Sequence, residues 1–454
     1  MSSIHWLNDI NGAFTNAADW RGGIVPGASD NAILDAAGSA FTVTSGVSET
    51  VRSVRLSANA TLSLTAGTFD ALKGTGAGAN AGVILIGAGA TLVCGGTVTN
   101  AAGGMILAGD GAVMRLAPGA HLRDGTLASA GSGTFVAKAA YVGEAGGHLV
   151  VDGRLKLTGA CTLDGEIEND GVILQAAGSG QLALGAVTLT GGGVFDMAYG
   201  GGFEGDQDTT LILASGTLSG AASVSVGDLT IGAVGLMVND TTHDLVLSGA
   251  SMVNDGTIES SGAGLVLIDS SLVNDGTLSV QAGVMEAVTP ITGDGVVTIG
   301  GGTASFSSTF DQAVTFTGAG ALDLGQSRMF TQTVTGFSTR GRTTLDLDDI
   351  RFVDSGEATF SGTAAGGVLT VTDGAHTAHI TLKGDYRGAT FVASKDGFGG
   401  TDVVAQKANA FAAPVDAFIA AMAGLASPGG EALHADVAGL GRESLLAPGR
   451  AALA

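Results

Sequence analysis

The sequence predicts an all-β chain: a β-solenoid, or parallel β-helix, with coils of about 20 residues, an N-terminal cap and a short C-terminal helical tail. Three observations carry this reading. From about residue 30 to 335, runs of four to six residues rich in Val, Leu, Ile and Thr alternate with Gly, Asn or Asp turns, as in ATLSL, HLVVDG, GVILQ, DLVLSG and GLVLID. The chain also repeats itself: Ser251–Ile258 (SMVNDGTI) returns as Ser271–Leu278 (SLVNDGTL), a shift of 20, and Leu245-Val246-Leu247 returns as Leu265-Val266-Leu267 at the same shift. Finally, Gly supplies 77 of the 454 residues, well above an ordinary share of about 7%, while Pro supplies only 6. Many turns and few breaks in the strands follow from that composition.

An antiparallel sandwich explains single Asn-Asp-Gly turns but not a repeat that holds across strands and turn together. In a stacked coil the inward Val, Leu and Ile are shielded by the next coil, while Thr, Ser and Ala suit a half-exposed pleat. Asn254 and Asn274 fall at equivalent positions, so their amides are expected to form a ladder along the stack; Asn169 opens a related turn. Gly171, Gly256 and Gly276 close these turns and are expected to turn corners at positive φ. About 15 coils spaced roughly 4.8 Å apart imply a rod on the order of 70 Å long.

The elements follow in order. Residues 1–30 gather His5, Trp6, Phe14, Trp20 and Pro26, an aromatic group that reads as a cap over the first coil, with a sugar-binding platform as the alternative. Residues 31–336 are the repeat region. Residues 337–407 carry more charge and longer alternating strands, hence a C-terminal β module or the last coils. In residues 408–454 the β pattern stops, and Phe411, Val415, Phe418, Ile419, Met422 and Leu425 recur at helical spacing.

Charge and motifs exclude several function classes. With 42 acidic and 19 basic residues the net charge is −23, so phosphate backbones and nucleic acid are not expected partners. Apolar residues reach 45% and charged residues only 13%, which excludes a disordered polyelectrolyte. The uncharged stretch between Lys73 and Asp110 has its apolar runs broken every few residues, far short of the ~20 a membrane helix needs. Cys94 and Cys161, the only cysteines, are too few for a disulfide framework or a thiolate metal site, and their pairing stays open. The start of the sequence lacks the basic and apolar regions of a secretory signal, which directs the expectation of an export signal to residues 408–454. No P-loop, G-x-S-x-G element or Cys/His cluster is present.

Three groups of residues could carry chemistry. Asp346, Asp348, Asp349 and Arg351 lie in TLDLDDIRF; on one strand Asp346 and Asp348 share a face, as do Asp349 and Arg351, the arrangement a polysaccharide-cleaving solenoid needs. A solvated strand edge is the plain alternative. Glu204, Asp206 and Asp208, alternate carboxylates in GGFEGDQDTT, could take a hard cation such as Ca2+, with a solvated loop as the plain alternative; no other cofactor is expected. His376 and His379 have H-x-x-H spacing, but three residues apart on a strand means opposite faces.

The segment Gly367–Gly374, followed by Ile380–Tyr386 and by Asp396-Gly397-Phe398-Gly399-Gly400-Thr401, resembles the C-terminal region of type I-secreted β-strand-repeat surface proteins of proteobacteria, which are adhesin-like. Trp6, Trp20, Pro26 and Asp30 leading into a strand resemble the start of bacterial β-strand-repeat proteins. The resemblance implies an extracellular or cell-surface location without an N-terminal signal peptide. It also implies export by an ABC-type machine that reads a C-terminal signal, and a role in adhesion, surface layers or biofilm. The calcium-binding nonapeptide GGxGxDxUx does not occur in tandem here, so a dedicated calcium roll is not expected. The function read from the sequence is thus a secreted, noncatalytic structural or adhesive protein, partnered by cell-surface or matrix polysaccharide or by its own copies. A polysaccharide lyase or hydrolase on the same solenoid is the alternative, with an autotransporter passenger-like domain behind it.

Overall fold

Alternation of apolar and polar residues within each short strand fixes which side chains turn inward, and stacking in register does the rest. In the computed structural model, which describes residues 2–407, this produces a parallel β-solenoid of about 15 turns with a coil spacing of about 21 residues. A typical coil has three strands: Val83–Ile86, Thr91–Cys94 and Thr97–Thr99 stack beneath Met105–Ala108, Val113–Leu116 and His121–Arg123. Ile84, Ile86, Leu92 and Val98 point inward and are buried, as are Ile106, Ala108, Met114 and Leu122 one coil further on. The expected helical tail, residues 408–454, lies outside the described residues.

The aromatic group at the front belongs to the stack itself. Ser3–His5 pairs in parallel with Asn31–Leu34, and Gly12–Ala13 with Val43 and Thr44. Trp6, Phe14 and Trp20 are at most 1% exposed, with edge-on ring contacts of 5.0 Å from Trp20 to both Trp6 and Phe14. Rings buried to this degree fill the first coil and cannot serve as a sugar platform. His5 is half-buried and its Nδ1 lies 2.9 Å from Asp35, while Pro26 is buried.

The internal repeat sets the register, with one adjustment. Asn254 pairs with Asn274, and Thr257 with Thr277, at a shift of 20, but Leu245 pairs with Val266 and Leu247 with Ile268, a shift of 21. The Leu-to-Leu match fails because Leu265 and Leu267 face outward, whereas Leu245, Leu247, Val266 and Ile268 all face the core. A one-residue slip turns a whole strand inside out, so burial overrides identity.

The turn residues carry the stack's polar interior. Asn254 Nδ2 donates to Asn274 Oδ1 at 2.6 Å, Asn274 Nδ2 donates to Gln312 Oε1 at 2.8 Å, and all three residues are buried. A second rung, Asn80 Nδ2 to Asn100 Oδ1 at 3.0 Å, recurs earlier. Asn169 instead accepts from the N–H of Gly171 at 3.2 Å within its own turn. The glycines have a different reason from the one expected. Gly171, Gly256 and Gly276 do not adopt positive φ; a Cβ at any of them would run into the backbone of the coil below, at Gly153, Gly232 and Gly256 respectively. Close approach between coils, not backbone handedness, demands glycine there.

The boundary expected at 336 falls within the stack, because Thr343–Leu347 still pairs in parallel with Gly320–Leu324. Beyond it the polarity changes. Ala358–Gly362, Gly366–Thr372 and Thr377–Lys383 form an antiparallel sheet, and Ala389–Lys395 pairs antiparallel with Thr401–Lys407. These join the last coil at two places: Thr377–Lys383 beside Thr333–Thr335, and Thr401–Lys407 antiparallel to Thr343–Leu347. Among the described residues no helix is long and apolar enough to cross a membrane.

The amide ladder makes a stability prediction. Asn274→Leu leaves the buried Gln312 Oε1 without a donor and Asn254 Nδ2 with only its 3.3 Å bond to Thr277 C=O, costs about 1–3 kcal/mol, and lowers the melting temperature. Thr298→Ala, on an outward position, should stay within about 0.5 kcal/mol of the parent in a denaturant titration. Equal, negligible effects from both would dismiss the ladder as a determinant of stability.

Candidate functional site

Strand stacking brings acidic residues into line. The register runs Glu286, Ser305, Asp323, Asp346 and then Asp402 across five neighbouring strands. Leu322, Leu324, Leu345 and Leu347 on either side point into the core, so Asp323 and Asp346 face outward. Asp348, one residue past the end of Thr343–Leu347, folds back toward them. One carboxylate oxygen each from Asp323, Asp346 and Asp348 lies within 4.8 Å of the other two, and this is the one such acidic, His or Cys triad among the described residues.

Electrostatics makes the row unusual. Burial, followed by the charges of Asp402, Asp323, Asp348 and Asp396, pushes the Asp346 carboxyl up to about 7. Burial and carboxylate neighbours also raise Asp323, Asp348 and Asp402 above the ordinary range, with Ser305 opposing the rise at Asp323 through a 2.7 Å hydrogen bond. The Oδ1 atoms of Asp323 and Asp346 are buried without a hydrogen-bond partner among the described residues. Asp396, at the rim, goes the other way: burial works to raise it, but N–H groups of Phe398, Gly399 and Gly400 at 2.7, 2.8 and 2.9 Å hold it low. Among the described residues no ion pair reaches this group. Two chemistries suit such a row. Convergent carboxylate oxygens can hold a hard cation, and a carboxyl that keeps its proton near neutrality can serve as a general acid.

The sequence-predicted candidates separate. Asp346 and Asp348 come together, but Asp349 and Arg351 are not on the same strand, because it ends at Leu347. Asp349 turns to the previous coil, where Ser327 N–H and Arg328 Nε donate to it at 3.0 and 2.8 Å; although burial opposes it, these bonds keep its carboxyl low. Arg351 is exposed, its N–H 3.4 Å from Asp373. Glu204, Asp206 and Asp208 are exposed and do not form a triad; Asp206 instead accepts from the Asp208 N–H at 3.0 Å, closing a local turn. His376 bonds to Asp373 at 3.0 Å and His379 to Thr370 at 3.2 Å, on separate partners. Cys94 and Cys161 are both buried and free, and burial, then Asp70, pushes the Cys94 thiol up to about 12.

Asp323 and Asp402 are absent from the sequence-based list. Asp323 had a signal, since Leu322-Asp323-Leu324 repeats as Leu345-Asp346-Leu347. Asp402 had none, because an antiparallel return strand delivers it. No protein-family model, curated protein or solved structure matches the chain.

The row dictates a pH dependence. Asp346 is ionised above about 3.8 in the unfolded chain but only above about 7 when folded, so its protonated form favours the folded state. That contribution is fully present below pH ~3.8, falls as pH rises through ~7, and is flat beyond. Asp346→Asn should therefore flatten the loss of melting temperature between those limits and be more stable than the parent at pH ~8. An unchanged pH profile in the variant would show that Asp346 titrates normally.

Proposed function

We propose that the chain is a secreted, noncatalytic structural or adhesive protein that works as a rod at the cell surface or in the matrix. The observation that carries this reading is the uninterrupted parallel stack from Ser3–His5 to Thr343–Leu347, which commits most of the described chain to one repetitive scaffold. Its outer faces offer repeating contact surface. In consecutive coils Val83 and Leu85 lie beside Met105 and Leu107, all outward-facing and half-buried, an apolar strip of the kind that meets a partner or a second copy. Export by a type I machine through a signal in residues 408–454 completes the proposal.

A second reading keeps the same scaffold but gives it a polysaccharide lyase or hydrolase activity, and the raised Asp346 favours it. There Asp346 would give its proton to the departing sugar oxygen, while the ionised carboxylate of Asp348 would take a proton from the attacking water in a hydrolase or from the sugar ring carbon in a lyase.

Two measurements decide. In a producing strain, the full chain should be recovered from the medium or cell surface, and a chain lacking residues 408–454 should stay inside; export of the shortened chain would refute the signal assignment. Incubation with neutral and anionic polysaccharides should release neither reducing nor unsaturated ends, with or without Ca2+. Release that disappears in Asp346→Asn would replace the structural reading by the enzymatic one.

A further inference from the structure

The C-terminal sheets leave two strand edges facing each other. Among the described residues, Ala358–Gly362 pairs only with Gly366–Thr372, and Ala389–Lys395 only with Thr401–Lys407. Hydrogen-bond alternation shows which way their backbone groups point. Glu357 C=O accepts from Thr372 and Thr363 N–H donates to Gly366, so residues 357, 359, 361 and 363 bond toward that partner, and Ala358, Phe360 and Gly362 direct their N–H and C=O groups the other way. Ala405 accepts from Gly341 on its far side, so Phe391 and Ala393, opposite Ala405 and Val403, also direct theirs away from their own partner strand.

One hydrogen bond crosses between the two edges, from Ala393 N–H to Ser355 C=O at 3.3 Å. Beyond that pin the edges separate around a cleft of about 600 Å³. Its floor is aromatic: Phe360 lies 5.5 Å from both Tyr386 and Phe391, ring centre to ring centre, and Tyr386 is anchored by its hydroxyl to Phe337 C=O at 3.0 Å. Its one charged lining residue, Arg387, is already neutralised by two 3.0 Å bonds to Asp385.

We propose that this cleft is an acceptor site for an extended strand of another protein, bound by β-strand addition. The partial charges on the edge alternate, acceptor and donor, at Ala358, Phe360 and Gly362, and an extended polypeptide backbone presents the complementary alternation, which a sugar or small anion does not. The rings beneath select small or β-branched apolar side chains at every second position of the guest, and the neutralised Arg387 leaves no demand for a charged one.

The test uses the full-length chain and a fluorescent hexapeptide of alternating Thr and Val, acetylated and amidated. Saturable binding is expected. It should weaken about tenfold or more when alternate peptide nitrogens are methylated, since side chains are kept and backbone donors lost. Ala358→Pro, which removes an outward-facing donor that the native sheet does not use, should weaken the unmodified peptide similarly, as should Phe360→Ala through loss of the floor. Unchanged melting temperatures certify the variants, and the methylated peptide tests the idea without any variant. No saturable binding, or binding indifferent to methylation, overturns the proposal. Dimerisation of the chain that Ala358→Pro abolishes would also overturn it, assigning the cleft to a second copy.

Discussion

Register is the constraint on which the structure depends. Each strand has a side-chain period of two, so a slip of one residue would send the core leucines and valines of a coil into water and its threonines inside. The departure of the 245–248 segment from the simple repeat shows how strict this is: the chain accepts a shift of 21 there and of 20 at Asn254 because both keep apolar side chains inward. The buried amides act with the same sense. Asn254 donates to Asn274 and Asn274 to Gln312 only in the native alignment, so slippage would strand further polar groups in a dry core.

The same constraint acts on the outer faces, where it carries a cost. Parallel in-register stacking sets like positions of successive coils side by side, and like charges there repel. Elsewhere a neighbouring coil can answer a charge with its opposite, as Arg123 meets Glu144 at 3.0 Å. Among the described residues Asp323, Asp346 and Asp402 receive no such answer, and two of their oxygens are buried without a partner. Acidic residues are in excess along the whole chain, but the convergence of carboxylate oxygens from Asp323, Asp346 and Asp348 at partly buried positions singles out this row as the place where chemistry can differ from scaffolding.

How far the sequence disclosed this follows from which contacts are local. Inward alternation and the 251–258 repeat are written in contiguous residues, so the solenoid and the Asn254–Asn274 pair were legible. Asp346 was legible for the same reason, whereas Asp348 meets it by folding back just past the strand's end and not by strand alternation. Asp349 and Arg351 misled because alternation holds only while the strand continues, and it stops at Leu347. The turn glycines were identified correctly but for the wrong reason, since a backbone passing beneath Gly276 is invisible in a one-dimensional pattern. Asp402 reaches the row through a strand that returns antiparallel from more than fifty residues along the chain, beyond any periodic signal.

That return also explains why the C-terminal sheets do not close on each other. A parallel stack offers unpaired backbone groups at its last coil, and the chain covers them with one strand that continues in parallel, Thr377–Lys383, and one that returns antiparallel, Thr401–Lys407. The two covering hairpins start from different faces of that coil: Thr377–Lys383 extends the face of Thr333–Thr335, and Thr401–Lys407 extends the face of Thr343–Leu347. Successive faces of the solenoid are separated by a turn, so hairpins that continue them diverge with distance from the core. Their outer strands touch where Ser355 meets Ala393 and part beyond it. Covering the stack's own edge thereby creates a second pair of edges, set apart by the geometry of the coil and floored by Phe360, Tyr386 and Phe391. A free edge is an aggregation hazard when it is long and flat. Here the edges are short, recessed and splayed, which blocks indiscriminate pairing while leaving room for a single strand.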